Sequence, residues 1–245
     1  GDVRSDNCYA GGDNPDNIAI DLFSYNALNG NISRDWKDAY GIIGKINIAI
    51  AQVQNCTDPA LSATRKKQIL GEARFMRAFT YFDLVRLFGS IPVMLQPVDQ
   101  TNSETLIQST LVPQSSVDSV YLAILDDLWY ARDNVQNDNV PPTKMTVTKG
   151  AVNSILAKVY ATMPTKQWDS VAYYCDKVIP DYALVPDYTY LWDNNHKNNS
   201  EAIWEFNYVG YSLVGNWIPS QFIGSGWKKF ETPTNDLVKA FQDAN

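Results

Sequence analysis

His196 is the single histidine of this 245-residue chain, set in the polar run Asp193-Asn-Asn-His-Lys-Asn-Asn199. It has no histidine or cysteine neighbour at the spacing a zinc site needs. A Ser-His-Asp or Cys-His relay would have to be improvised around it, since there is no second imidazole. The three cysteines, Cys8, Cys56 and Cys175, are too few and too scattered for a disulfide framework. Gly224-Ser-Gly226 lacks the lysine and the helix of a phosphate-binding loop. Paired carboxylates are the remaining hydrolytic option. Asp126 and Asp127 are adjacent, so they point to different faces of a helix and cannot flank one bond. Glu201 and Glu205 read as loop anchors. No acid and nucleophile are placed as a glycoside hydrolase needs, and no acidic loop has EF-hand spacing. No catalytic residue, metal ligand or cofactor is expected.

Aromatic residues are the other functional resource. Seven Trp and 14 Tyr exceed what a helical core readily absorbs, and the surplus could serve as flat faces for sugar rings. Tyr208, Tyr211, Trp217, Phe222, Trp227 and Phe230 crowd one segment, broken by Gly210, Gly215, Pro219, Gly224 and Gly226. Such a segment either buries its own rings or presents them outward. The formal charge of −7, with no run of like charge, offers nothing to nucleic acid or anionic lipid. No stretch of 18 apolar residues spans a membrane as a helix, and no signal peptide is visible.

These residues must be positioned by a mainly α-helical chain. Residues 1–33 are rich in Asn, Asp and Gly and read as irregular surface chain, with a short helix near Ile18–Tyr25. A first long helix is expected from Ser33 to about Gln54, with a stripe of Trp36, Ala39, Tyr40, Ile43, Ile46, Ile50 and Val53. Asn47 lies inside that stripe and reads as a buried amide tying down a neighbouring loop. After a turn at Asn55-Cys-Thr-Asp-Pro-Ala60, a second helix runs to Phe88, ended by Gly89 and Pro92. The short turn makes the pair antiparallel. Residues 90–114 read as a connection, and a third helix begins at Ser115 or Ser116. Thr148 is placed to cap a fourth helix, ended at Pro164. A fifth presents Trp168, Val171, Ala172, Cys175, Val178 and Ile179 on one face. The alternation of Ala202, Trp204, Phe206 and Tyr208 predicts a strand. No strict 34-residue repeat fits, so the pattern supports a divergent helical repeat.

The second helix is apolar on every side yet carries Glu72, Arg74, Arg77, Asp83 and Arg86. A helix of this kind lies buried among others, so its charges need partners. Arg74, Arg77 and Tyr81 share one side. They either form an anion site or make internal ion pairs that orient neighbouring helices, and the second use is favoured.

Glu72-Ala-Arg-Phe-Met-Arg-Ala78, followed by Tyr81-Phe-Asp-Leu-Val-Arg-Leu-Phe-Gly-Ser-Ile-Pro-Val93, resembles the most recognisable segment of the SusD/RagB-like proteins. Further landmarks fall in family order: Trp36-Lys-Asp-Ala-Tyr40, Asp126-Asp-Leu128, Leu156-Ala-Lys-Val-Tyr160, Glu201-Ala-Ile-Trp-Glu205 and Pro233 to Phe241. The resemblance implies a tetratricopeptide-like fold with long irregular loops and a little β. It implies one domain over 1–245, lacking both ends of the family's length: a surface loop segment at 1–33, a helical core at 34–180, and a loop-rich ligand-facing segment at 181–245. It also implies a surface lipoprotein of Bacteroidetes. Such a protein would bind an oligosaccharide without chemistry and deliver it to a SusC-like TonB-dependent transporter. Contact with the outer membrane would run only through a lipid anchor upstream of this chain. The glycan site would be assembled from loops ahead of the first long helix and beyond the repeats, which places Tyr25, Asn26, Asn29, Tyr211, Trp217 and Trp227 as candidates. The alternatives are a helical scaffold that binds a peptide or protein and, more remotely, a glycoside hydrolase.

Overall fold

The computed structural model describes residues 2–139, 143–208 and 230–244. The described residues divide into two compact units, one within 1–38 and 207–245 and the other comprising 39–206. Among the described residues, eight α-helices and four two-residue strands form the framework.

In the first unit, helix α1 (Pro15–Asp21) starts where the Asn14 side chain accepts the N–H groups of Asp16 and Asn17. Helix α2 (Gly30–Asn55), which from Ala39 on belongs to the second unit, begins three residues before the predicted Ser33. The reason is Asn29, whose Oδ1 accepts the N–H groups of Asn31 at 3.1 Å and Ile32 at 3.2 Å. Strand β1 (Cys8–Tyr9) pairs antiparallel with β4 (Thr232–Pro233). Helix α8 (Asn235–Asp243) follows at once, capped by the Thr234 hydroxyl.

The second unit is built of packed helices. Helix α3 (Ala63–Phe88) is capped by Ser62 and ends at Gly89, whose φ of 71° is readily available to glycine. It packs against α5 (Val117–Asn134), which starts at the Ser116 cap. Phe82 meets Tyr121 at one end of this contact, and Gly71 faces Val135 at the other. A Cβ on Gly71 would stand 3.1 Å from the Val135 side chain, so the missing side chain allows the close approach. Helix α6 (Lys149–Thr162) packs on α5 and on α7 (Trp168–Asp176). Phe75, Ala78, Ile91, Val120, Ile124, Leu128, Val152, Leu156 and Val159 lie at the centre.

Four expectations are corrected. The 90–114 connection contains a helix, α4 (Ser103–Thr110), built on a reciprocal capping box between Asn102 and Thr105. It is flanked by β2 (Ile91–Pro92) and β3 (Gln114–Ser115), which pair antiparallel. Thr148 stands at the cap of α6 but makes no capping bond. Its hydroxyl donates to Asp138, whose carboxylate accepts the Gly150 N–H instead. Residues 202–208 form no strand: Trp204 and Phe206 pack on the Phe75–Phe79 face of α3, and the chain there finds single partners rather than a ladder. On α7 the buried residue is Tyr174, which stacks on Tyr160 at 5.7 Å, while Trp168 and Ile179 are exposed and Cys175 is half-buried.

Candidate functional site

The central polar constellation of the second unit is built on α3. Arg77 is 4% exposed and places its guanidinium across Asp127 of α5, with Nε to Oδ2 at 2.7 Å and Nη2 to Oδ1 at 2.8 Å. Nη1 donates to Asn47 Oδ1 of α2 at 2.7 Å and to the Leu95 carbonyl at 3.0 Å. Asn47 in turn donates to the Met94 and Gln96 carbonyls. The Tyr81 hydroxyl both donates to the Met94 carbonyl and accepts the Met94 N–H, and Tyr40 donates to the Pro92 carbonyl. One extended segment, 92–96, is thus held between α2 and α3 by four side chains. Burial pushes the Asp127 carboxyl up while the Arg77 fork pulls it back. Burial likewise pushes the Tyr81 phenol up to about 12. With each of the three nitrogens of the buried Arg77 head bonded to a protein acceptor, and four of its five N–H groups so engaged, this network positions helices rather than an anion.

Arg74 lies at the rim, its guanidinium 4.2 Å above the Tyr130 ring and Nη1 3.5 Å from Asp126. Asp126 is exposed and Asp127 buried, so the adjacent carboxylates face apart. Glu201 and Glu205 accept backbone N–H groups of Val185 and Asn198, as loop anchors do. His196 stacks on Tyr190 at 3.7 Å and holds the Asp193 carboxylate at 2.7 Å. No arrangement among these groups provides an acid and a nucleophile around open space.

Of the six candidate glycan contacts, three are described and all belong to the turn between α1 and α2. Tyr25 is 37% exposed. It stands in a turn with exposed Leu22, Phe23 and Leu28, where Phe23 adopts a φ of 53°. Asn26 closes the turn, its Oδ1 accepting the Leu28 N–H at 2.8 Å and its carbonyl accepting the Asn29 N–H. Asn29 is only 5% exposed, since its carboxamide caps α2 and donates to the Asp16 carbonyl. It fixes the turn rather than presenting its own amide. Tyr211, Trp217 and Trp227 lie outside the described residues.

Two surface features carry no signal in the pattern of apolar residues. Tyr188 and Trp192, on the short 3-10 turn Tyr188–Leu191 and just after it, are 70% and 74% exposed and meet edge to face. A polar cleft also opens beside the start of α6, around Asp138, Lys149 and Asn153. The Asn137-Asp-Asn139 triplet marks its rim but reads in sequence as ordinary loop.

Residues 13–161 match a SusD-like family described as starch-binding and associating with the outer membrane. A SusD-like protein of Bacteroides ovatus is 27% identical over 227 residues, covering 88% of this chain and 38% of that protein. A SusD superfamily protein from Bacteroides vulgatus shares the fold at a TM-score of 0.79, with 20% identity, over 98% of this chain and 50% of its own. A crystal structure with xylogluco-oligosaccharide aligns at a TM-score of 0.64 and 26% identity, over 80% of this chain and 39% of its own. The chain spans 38% or less of the length of the curated relatives it matches.

Proposed function

The chain belongs to the SusD-like family, and on that premise we propose that it takes part in capturing an oligosaccharide at the outer face of the outer membrane, without chemistry. The observation that carries this is the family match over residues 13–161, supported by a related structure that holds a xylogluco-oligosaccharide. Capture would rest on stacking and amide contacts. Aromatic rings supply wide, rigid, apolar area at little conformational cost, and Tyr25 stands exposed in a turn that Asn26 and Asn29 hold in place. Tyr211, Trp217 and Trp227 are proposed to complete the surface. The ligand would pass to a SusC-like TonB-dependent transporter, with a lipid anchor upstream of this chain holding the protein to the membrane.

Native affinity electrophoresis across a polysaccharide panel tests the reading, with Tyr25→Ala, Trp217→Ala and Trp227→Ala run beside the parent. The expected result is retardation by at least one polysaccharide, lost in a variant whose melting is unchanged. No retardation by any polysaccharide, with saturable binding of peptides instead, would replace the glycan reading with that of a peptide-binding scaffold. Release of reducing sugar would make the protein a hydrolase.

A further inference from the structure

A cleft of about 590 Å³ opens in the second unit, lined by Asn137, Asp138, Asn139, Lys144, Lys149, Asn153, Lys177 and Asp181. Its size falls within the roughly 300–1,000 Å³ of small-molecule sites. Asn153, on α6, is 8% exposed, and its carboxamide, which has no hydrogen-bond partner among the described residues, keeps that exposure at the cleft. There it meets solvent, which a ligand bearing hydroxyl groups can replace hydrogen bond for hydrogen bond. Among the described residues Lys149 forms no ion pair, and the ammonium groups of Lys144 and Lys177 lie over the faces of Tyr182 and Tyr173. The Asp138 carboxylate is already committed to Thr148, Gly150 and Tyr182. Among the described lining residues, three ammonium groups face two carboxylates, a local excess of positive charge in a chain of net charge −7.

From these features we infer that the cleft binds an acidic sugar, a saccharide unit bearing a carboxylate or a sulfate ester. Its volume exceeds that of a bare inorganic anion, and three asparagine amides offer donors and acceptors to hydroxyl groups. The lysines would take the charged substituent as compact point charges, and Asn153 would meet a ring hydroxyl or the acid group itself. None of its lining residues belongs to the Tyr25 turn, and the inference shares with the preceding reading only that the ligand is a sugar.

Isothermal titration with trigalacturonate, its fully methyl-esterified form and a sulfated galactose trisaccharide tests the inference. The protein should bind at least one acidic trisaccharide, and the methyl ester should bind at least tenfold more weakly than trigalacturonate if the carboxylate is the ligand. Which acid binds tells carboxylate from sulfate. Lys149→Gln/Lys177→Gln should weaken that binding at least tenfold at unchanged melting temperature, as should 0.5 M NaCl. Binding of neither acid overturns the inference, as does binding the double variant leaves intact. Retention on neutral polysaccharide gels should persist in the double variant, so failure here stays distinct from failure of the glycan reading at Tyr25.

Discussion

Replacing Arg77 by Ala removes four hydrogen bonds and strands the Asp127 carboxylate, which is 2% exposed. The nearest remaining cation is Arg74 Nη1, 3.8 Å from Asp127 Oδ1. Breaking a buried pair from one side costs about 3–5 kcal/mol, because the remaining charge is left uncompensated. At about 2–4 °C per kcal/mol for a domain of this size, melting should fall by about 6–20 °C. The double variant Arg77→Met/Asp127→Leu removes both charges and should recover part of the loss. Recovery stays incomplete, since the buried Asn47 Oδ1 still lacks its donor, at about 1–3 kcal/mol. Urea unfolding followed by far-UV circular dichroism measures the three proteins. The exposed Asp83–Arg86 pair is the control, and Asp83→Ala should cost at most about 1 kcal/mol. If Arg77→Ala unfolds within about 1 kcal/mol of the parent, or the double variant is less stable than the single, the network does not hold the helices as argued.

Two further outcomes follow from the same unit. Gly150→Ala would drive a Cβ into Tyr182 Oη and Asp138 Oδ1, and should destabilise by about 1–3 kcal/mol in urea unfolding; a neutral effect would refute the tight seat of α6. The Tyr81 phenol, raised from an ordinary value near 10 to about 12 chiefly by burial, favours the folded state while protonated. Its contribution is fully present below about pH 10 and is lost as pH rises through 12. Stability should therefore fall across that window less steeply in Tyr81→Phe, and equal slopes would refute the assignment.

How much of this was legible depended on whether the local signal and the tertiary partner agreed. α3 is a long apolar run between the Ser62 cap and Gly89, and α5 a periodic run behind the Ser116 cap, so both fall close to where the pattern places them. Asn47 was readable because a polar residue inside an apolar stripe must find partners, and it finds two carbonyls. The cap of α6 was not readable, because its acceptor, Asp138, comes from a loop and the adjacent Thr148 is the more obvious candidate. The alternation at 202–208 misled for a different reason. An extended chain laid on a helix can show period two without any strand beside it, as Trp204 and Phe206 do on Phe75 and Phe79. At the candidate site, aromatic content was visible in sequence. Which amide faces solvent was not, since Asn29 carries the same letter as Asn26 and is spent on a helix start.

Asn29-Gly30 is the only Asn-Gly dipeptide in the chain. In a flexible peptide this pair ages by cyclisation: the glycine nitrogen attacks the asparagine side-chain carbonyl, ammonia leaves, and the succinimide opens to aspartate or isoaspartate. Here the Gly30 N–H is engaged by Asp16 Oδ2 at 3.1 Å and the Asn29 carboxamide is turned onto the first turn of α2. The cap that sets the start of the helix therefore also holds both reacting groups of this pair in place, so the same bonds that fix the turn bearing Tyr25 oppose its chemical ageing.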